Sequence, residues 1–426
     1  MMKSRFIFYC IAFFTALTLG ISAHANQSLS PKTYQALNDI QTLLSESKYA
    51  EVEEELLELE ENLSPGFGLA LSYQIHAQLY LAQENTAQAI NYFNKALKLE
   101  AMKATQAVSL ATNVSQLYLA DSNTAAAINV LLPRISAAEK EKQGSTIAMA
   151  YITLGSAYQV KGDFASSVSW LKEGIARAKK PRENWLQMLM AAHYQLKQYP
   201  QAIALLDQLL VVNETKEEYW LQQASLYQMQ QKPKEALEVL ELAYIRGRLE
   251  KKDGLILLVQ LLVTQGAPER GGRLLHEMLQ QDKVEITEAN WSLLASAWIQ
   301  GRERIPAIMA LENAALLSEK EVETAVDKKG AVASKSRAAK LYYRAAQLQF
   351  DEDQFAASIT NYQKSLKLGL SGKKVGTALL MQGNSYFELA DYSDAKLYFS
   401  KALAEASSSN SARAWLDYMQ QLELFE

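Results

Sequence analysis

The sequence predicts an all-α protein: a solenoid of about ten helix hairpins with a C-terminal capping helix. Three observations predict it. Only 8 Pro and 18 Gly occur in 426 residues, few for a protein of strands and turns, while Ala, Leu, Gln, Glu and Lys dominate, all of them good helix formers. Apolar residues recur at helical spacing on both sides of short polar breaks. One pattern of large and small residues also returns along nearly the whole chain. With 49% hydrophobic and 21% charged residues, there is ample material for a core and too little charge for disorder.

The first element reads as an export signal. Lys3 and Arg5 precede an apolar run from Phe6 to Ile21, and Ser22-Ala23-His24-Ala25 supplies a small-x-small pattern before Asn26. This is the layout of a secretory signal peptide over residues 1–25, with cleavage expected after Ala25. The run is shorter than the roughly 20 residues that span a bilayer comfortably; the alternative is a retained inner-membrane anchor. Cys10, the only cysteine, lies inside the run, so the mature chain has no thiol for a disulfide or a metal. Without Lys3 and Arg5 it carries 41 basic and 47 acidic residues, a net charge of −6. No later segment is long and apolar enough to cross a membrane, so no stable membrane insertion is expected after cleavage.

The repeat follows. Residues 70–97 (ALSYQIHAQLYLAQENTAQAINYFNKAL), 148–175 (AMAYITLGSAYQVKGDFASSVSWLKEGI) and 376–403 (GTALLMQGNSYFELADYSDAKLYFSKAL) share one plan. A large residue comes early, small or apolar residues one turn later, and a Tyr one further turn on. After the polar break come a small residue, an aromatic or Leu, and another small residue. Two antiparallel helices in close contact need small side chains at such fixed points. Units start at 33, 70, 108, 148, 183, 217, 252, 288, 339 and 376, most of them 34 to 40 residues apart. The first unit and those at 183 and 252 are degenerate, and Gly271-Gly272 replaces the usual small residue in the last of these.

The interval from 288 to 339 is 51 residues. It holds a charged insertion or mobile loop, residues 318–338, rich in Lys, Glu, Ser and Ala; a charged helical extension is the other reading. The expected organisation is thus eight units over 26–317, the insertion, and two further units plus a cap over 339–426. The stretch Ala412–Leu424, with Trp415, Leu416 and Met419, fits the capping element that a solenoid needs over its last apolar face.

Chemistry is sparse. His76, His193 and His276 lie in different units, with no HExxH or ExxH pair. Gly266-Ala-Pro-Glu-Arg-Gly271-Gly272 lacks the G-K-[ST] ending of a phosphate loop and falls at an inter-helix turn. Asp351-Glu352-Asp353 lacks the alternating ligands of a calcium loop. Residues 51–61 are acidic, but Leu56, Leu57 and Leu59 mark an amphipathic helix. No Ser/His/Asp arrangement can be picked out. Neither catalytic residues, metal ligands nor a cofactor are expected, and the scattered basic residues argue against nucleic acid.

The period and the residues resemble the tetratricopeptide repeat, of 34 residues and pattern W-x2-L-G-x2-Y…A-x3-F. Leu154, Gly155 and Tyr158 match its L-G-x2-Y core. Tyr73, Tyr151, Trp220, Trp291 and Tyr342 take the early aromatic place, and Tyr80, Tyr118, Tyr227 and Tyr386 the later one. Ala89, Ala127, Ala202, Ala236, Ala307 and Ala395 take the small site of the second helix, with Phe93 and Phe399 four residues on. The resemblance implies a right-handed solenoid that binds other proteins, with the first helix of each unit lining a concave wall. Its inward positions, carried onto this chain, are Gln187, Tyr194, Leu221, Gln228, Ile256, Gln260, Tyr343, Gln347, Phe350, Asn384 and Phe387. Amides there would pair with the backbone of an extended peptide, and aromatics would cover apolar side chains; the plain alternative is that these residues face water. Family members that act as chaperone adaptors grip an acidic carboxylate with several Lys, Arg and Asn; these positions hold no such cluster, so an acidic tail is not the expected partner.

More narrowly, Glu183-Asn-Trp-Leu-Gln-Met-Leu-Met-Ala-Ala, Tyr219-Trp-Leu-Gln-Gln, residues 243–262 and Ala414-Trp-Leu-Asp-Tyr resemble exported repeat proteins that accompany TonB–ExbB–ExbD systems of Gram-negative bacteria. This resemblance implies a periplasmic accessory protein whose partners are TonB, ExbB or ExbD components. The alternatives are a scaffold in outer-membrane assembly, pilus or peptidoglycan biogenesis, and an enzyme such as a murein hydrolase.

Overall fold

The computed structural model describes residues 29–140, 147–325 and 327–422; the export signal expected at residues 1–25 lies outside them. The described residues form 21 helices and no strand. They fall into two compact units, divided between Asn213 and Glu214.

The amino-terminal unit is five hairpins. Helix α1 (Pro31–Ser45) pairs with α2 (Tyr49–Asn62), α3 (Phe67–Ala82) with α4 (Thr86–Lys98), and α5 (Ala104–Ala120) with α6 (Thr124–Lys140). Helix α7 (Ala148–Lys161) pairs with α8 (Phe164–Arg177), and α9 (Glu183–Gln195) with α10 (Tyr199–Val212). The carboxy-terminal unit has five more: α11 (Glu217–Met229) with α12 (Pro233–Ile245), α13 (Lys252–Thr264) with α14 (Pro268–Gln280), and α15 (Glu288–Gln300) with α16 (Arg304–Thr324). Helix α17 (Lys328–Asp351) pairs with α18 (Phe355–Lys367) and α19 (Lys373–Glu388) with α20 (Tyr392–Leu403), before a last helix, α21 (Ser409–Gln421). The three degenerate sequence units are hairpins like the rest. No helix among the described residues is long and apolar enough to cross a membrane.

The turns inside the hairpins share one device. Each holds a single left-handed residue: Ser47, Glu84, Ser122, Gly162, Lys197, Gln231, Gly266, Arg302, Asp353 and Ala390. The next N–H then donates back across the end of the first helix, as from Asn85 to the Tyr80 carbonyl at 2.7 Å and from Glu303 to the Trp298 carbonyl at 2.8 Å. This bond satisfies carbonyls that a helix end leaves bare and fixes the angle of exit. The faint phosphate loop at Gly266 is one of these turns. Asn85, Asn123, Asp163 and Asp391 then cap the second helix by accepting from the N–H three residues on. Eight of these positions are not glycine, although a side chain in that conformation costs about 1–2 kcal/mol. Gly162→Ala, at φ +83 with open space where the new Cβ would stand, is therefore expected to lower stability by about 1 kcal/mol. Urea unfolding of the two proteins checks it.

The recurring small residues sit where helices touch. Ala89, Ala127, Ala202, Ala236, Ala307 and Ala395 are all fully buried. A Cβ on Gly155 would stand 2.7 Å from Leu171 Cγ, and one on Gly272 would stand 3.0 Å from the Trp298 ring. The two glycines at 271–272 thus admit the Val263 and Trp298 side chains at a site where other units use alanine. Around these contacts pack Phe93, Leu131, Tyr151 and Leu154 in the amino-terminal unit, and Tyr342, Tyr362 and Phe399 in the carboxy-terminal one.

Residues 318–324 form the end of α16 and residues 328–338 the start of α17, helices that run to 21 and 24 residues. Asp327 Oδ1 accepts from the Gly330 N–H at 2.6 Å and starts the second helix. Glu321 accepts from Ser334 Oγ and Arg337, tying the two extensions together. Of the two readings of this stretch, a mobile loop or a charged helical extension, the two lengthened helices match the extension. Helix α21 covers the last hairpin: Trp415 stacks on Phe399 at 5.4 Å and 6°, and Met419 is fully buried beside them.

Candidate partner-binding surface

All eleven candidate groove residues lie on the first helix of a hairpin. Gln187 and Tyr194 belong to α9 in the amino-terminal unit. Gln187 is half-buried and Tyr194 is exposed, its ring 6.2 Å from that of Tyr199. The other nine belong to the carboxy-terminal unit. Leu221 and Ile256 are half-buried, while Gln228 and Gln260 are exposed on α11 and α13. These four lie at the surface, with amide and aliphatic chemistry.

The rest are drawn into packing. Tyr343 is buried, its ring edge-on to Tyr362 at 5.7 Å, and its hydroxyl accepts from Gln347 Nε2 at 3.3 Å. Phe350 packs edge-on to Phe355 inside its own hairpin. Phe387 contacts Tyr392, Trp415 and Tyr418, so it seats the capping helix. Asn384 Nδ2 reaches Met381 Sδ. For Tyr343 the expectation of an open wall is corrected. Its register position is that of a groove residue, but a Tyr there fills the space left by Ala339, Ala346 and Ala378.

Several polar sites inside the hairpins were not legible from spacing. Glu217, at the start of α11, accepts from the Lys251 N–H through both oxygens, at 3.0 and 3.2 Å, and so caps α13 from the preceding hairpin. Gly254 makes room for it; a Cβ there would stand 3.0 Å from Glu217 Oε1. Asn361 Nδ2 donates to Glu312 and Gln349, and Gln349 Nε2 donates to Glu312, joining α16, α17 and α18. His76 lies buried with Nδ1 3.0 Å from Glu60 Oε1, between the rings of Tyr80 and Tyr92. Burial raises the Tyr92 hydroxyl to about 12, with the Glu60 charge adding to it. His76, His193 and His276 stand on α3, α9 and α14. Among the described residues no three His, Cys, Asp or Glu converge to hold a metal ion.

His193 makes an acid-sensitive contact. It is 2% exposed, with Nδ1 2.6 Å from Gln198 Oε1. Burial lowers its pKa below the usual 6.5, against the raising effect of the Gln198 bond. Below pH 6.5 the unfolded chain takes up a proton that folded His193 refuses. The stability this site contributes is present above that pH and falls as pH drops through it. His193→Gln is expected to flatten the stability profile between pH 7 and 5; equal slopes for both proteins would contradict this origin.

The fold and this surface define a helical-hairpin repeat protein whose first helices carry exposed amide and half-buried aliphatic side chains. Residues 70–101, most of α3 and α4, match the model of the tetratricopeptide repeat, so the chain carries that repeat. Among solved structures, it is similar to the C-terminal part of a TPR repeat-containing protein from Cytophaga hutchinsonii, at 16% identity and TM-score 0.39, over 69% of this chain and 97% of that one. It is also similar to Naa15/Naa10 bound to HypK-THB, at 13% identity and TM-score 0.44, over 84% of this chain and 64% of that one. A tetratricopeptide repeat protein from Parabacteroides merdae shares 15% identity at TM-score 0.33, over 63% of this chain and 97% of that one. No curated protein matches the chain.

Proposed function

We propose that the protein is a non-catalytic scaffold that binds other proteins in the periplasm, as an accessory component of a TonB-dependent energy-transduction and transport system. The observation that carries the scaffold reading is the repetition itself. Ten hairpins end their first helix with the same left-handed turn, and one of them matches the tetratricopeptide repeat. Within each compact unit such hairpins offer neighbouring first helices to an extended partner. The three-part pattern of residues 1–25 supports export. The resemblance at residues 183–192, 219–223, 243–262 and 414–418 supports the TonB system.

Affinity capture from detergent-solubilised envelopes tests the reading. A tagged chain is expected to retain TonB, ExbB or ExbD, and a strain lacking the gene is expected to take up TonB-dependent cargo poorly. Capture of outer-membrane assembly, pilus or peptidoglycan components, with normal uptake, would replace this reading by one in envelope biogenesis. Fractionation into the cytoplasm would refute the location.

A further inference from the structure

The chain carries a net charge of −4, but its charge is unevenly spread. Between Lys328 and Phe387, which spans α17, α18 and most of α19, there are ten Lys and Arg against three acidic residues. Those three, Asp351, Glu352 and Asp353, all sit at the α17–α18 turn. At the other end of this hairpin, where the α18–α19 turn meets the side of α17, the structure has a cavity of about 320 Å³.

Its polar lining is Lys340 and Ser336 from α17, Ser371 from the turn, and Lys373 and Lys374 from the start of α19. No acidic residue is among the lining groups. Leu370 forms an apolar floor, anchored in the cluster of Tyr343, Tyr362 and Ala378. Lys374 Nζ stands 5.4 Å from the centre of the Tyr343 ring, which holds one wall to α17. Among the described residues, none of the three lysines takes part in an ion pair, whereas elsewhere Lys251 and Lys252 pair with Glu218 and Glu285. Glu405, near Gly376 one turn into α19, does not line the cavity. Lys340, Lys373 and Lys374, all exposed, line this one space, and an anion in it would be attracted by three cations at once.

We propose that this cavity binds a phosphoryl group, borne either by a small phosphate compound or by the headgroup of a phospholipid. The donors decide between anions. Ammonium groups are compact point charges, and with two hydroxyls they suit a tetrahedral oxyanion. A planar carboxylate is best met by the fork of an arginine, and no arginine lines this site. The start of α19 adds the weak positive end of a helix whose N-cap, Gly372, brings no side-chain acceptor. This assignment goes beyond the scaffold reading and does not rest on it.

Calorimetric titration of the purified protein with inorganic phosphate and with glycerol 3-phosphate tests it, beside co-sedimentation with phosphatidylglycerol and phosphatidylcholine vesicles. Saturable binding is expected, weakened by added salt. Each of Lys340→Gln, Lys373→Gln and Lys374→Gln should weaken it by about tenfold, the loss of one charge-assisted hydrogen bond. Lys367→Gln, exposed on α18 outside the cavity, should leave it unchanged, and all variants should keep the parent's helical circular dichroism. Lysine-dependent binding of the soluble phosphates without vesicle binding supports a small phosphate compound. Lysine-dependent binding to phosphatidylglycerol alone, or to it as well, supports the headgroup. No binding of any phosphate or vesicle, or binding unchanged in a variant that carries all three Lys→Gln replacements, would overturn the proposal.

Discussion

Replacing Phe399 by alanine is expected to cost about 3–5 kcal/mol, the range for deleting a fully buried aromatic ring. Phe399 is fully buried at the join of α20, α19 and α21. One face stacks on Trp415, and Gly383 comes so close to its edge that a Cβ there would stand 2.5 Å from Cδ1. The neighbours are therefore shaped round the ring and cannot close the hole without moving a helix. In a repeat array each hairpin draws stability mainly from its neighbours, so the loss should appear locally. Hydrogen exchange should quicken in α19, α20 and α21, while α3 and α4 stay protected. Uniform loss of protection in both compact units, or a cost below about 1 kcal/mol, would mean that the ring is not the keystone of the last hairpin.

The second large effect is expected in the amino-terminal unit. Gly155→Val puts a branched side chain where even a Cβ would lie 2.7 Å from Leu171 Cγ and 3.2 Å from the Leu171 backbone nitrogen. A glycine in mid-helix is unfavourable by about 1 kcal/mol against alanine, so propensity alone favours most replacements. Overpacking opposes this with typically 1–3 kcal/mol. Because a backbone atom is part of the clash, the upper end of that range should win, for a net loss of about 2 kcal/mol. Leu171→Ala is itself destabilising, but in its background Gly155→Val is expected to cost less, since the atoms nearest the new side chain are gone. Equal costs for Gly155→Val with and without Leu171→Ala would place the strain elsewhere.

These two sites show why most of the fold was legible in the sequence. Small residues at the close approaches, such as Gly155 and Ala395, repeat at fixed offsets because antiparallel helices touch at one point per hairpin. The unit starts at 148, 183, 217, 252 and 288 coincide with or directly precede the first residues of α7, α9, α11, α13 and α15. Residues 318–338 were harder. Lys, Glu, Ser and Ala occur both in solvated loops and in exposed helices, and with no aromatic to mark a packing position the composition fits either. Helix propensity, high for Ala, Lys and Glu, and the Glu321 contacts to Ser334 and Arg337 settle the outcome in the fold.

The surface was less legible because register gives a side chain's direction and not its neighbours. Gln228 and Gln260 reach the surface, as their positions predict. Phe387 has the register of Gln228 and Tyr343 that of Leu221, but they are taken up by Trp415 and Tyr362. The basic stretch from Lys328 to Phe387 was hidden by counting charge over the whole chain. A count by helix pair finds it, but the meeting of Lys340 with Lys373 and Lys374, more than thirty residues apart, needs the fold.

The claim on which the account depends is that the first helices of the hairpins hold a partner protein. Photo-crosslinking in living cells tests it most directly. A photoreactive amino acid is placed at Gln228 or Gln260 on the first helices α11 and α13, or at exposed Lys234 or Arg273 on the second helices α12 and α14. Discrete adducts with an envelope protein are expected from Gln228 and Gln260, and none from Lys234 and Arg273. Adducts from the second-helix positions alone, or from none of the four in a folded protein, would contradict it.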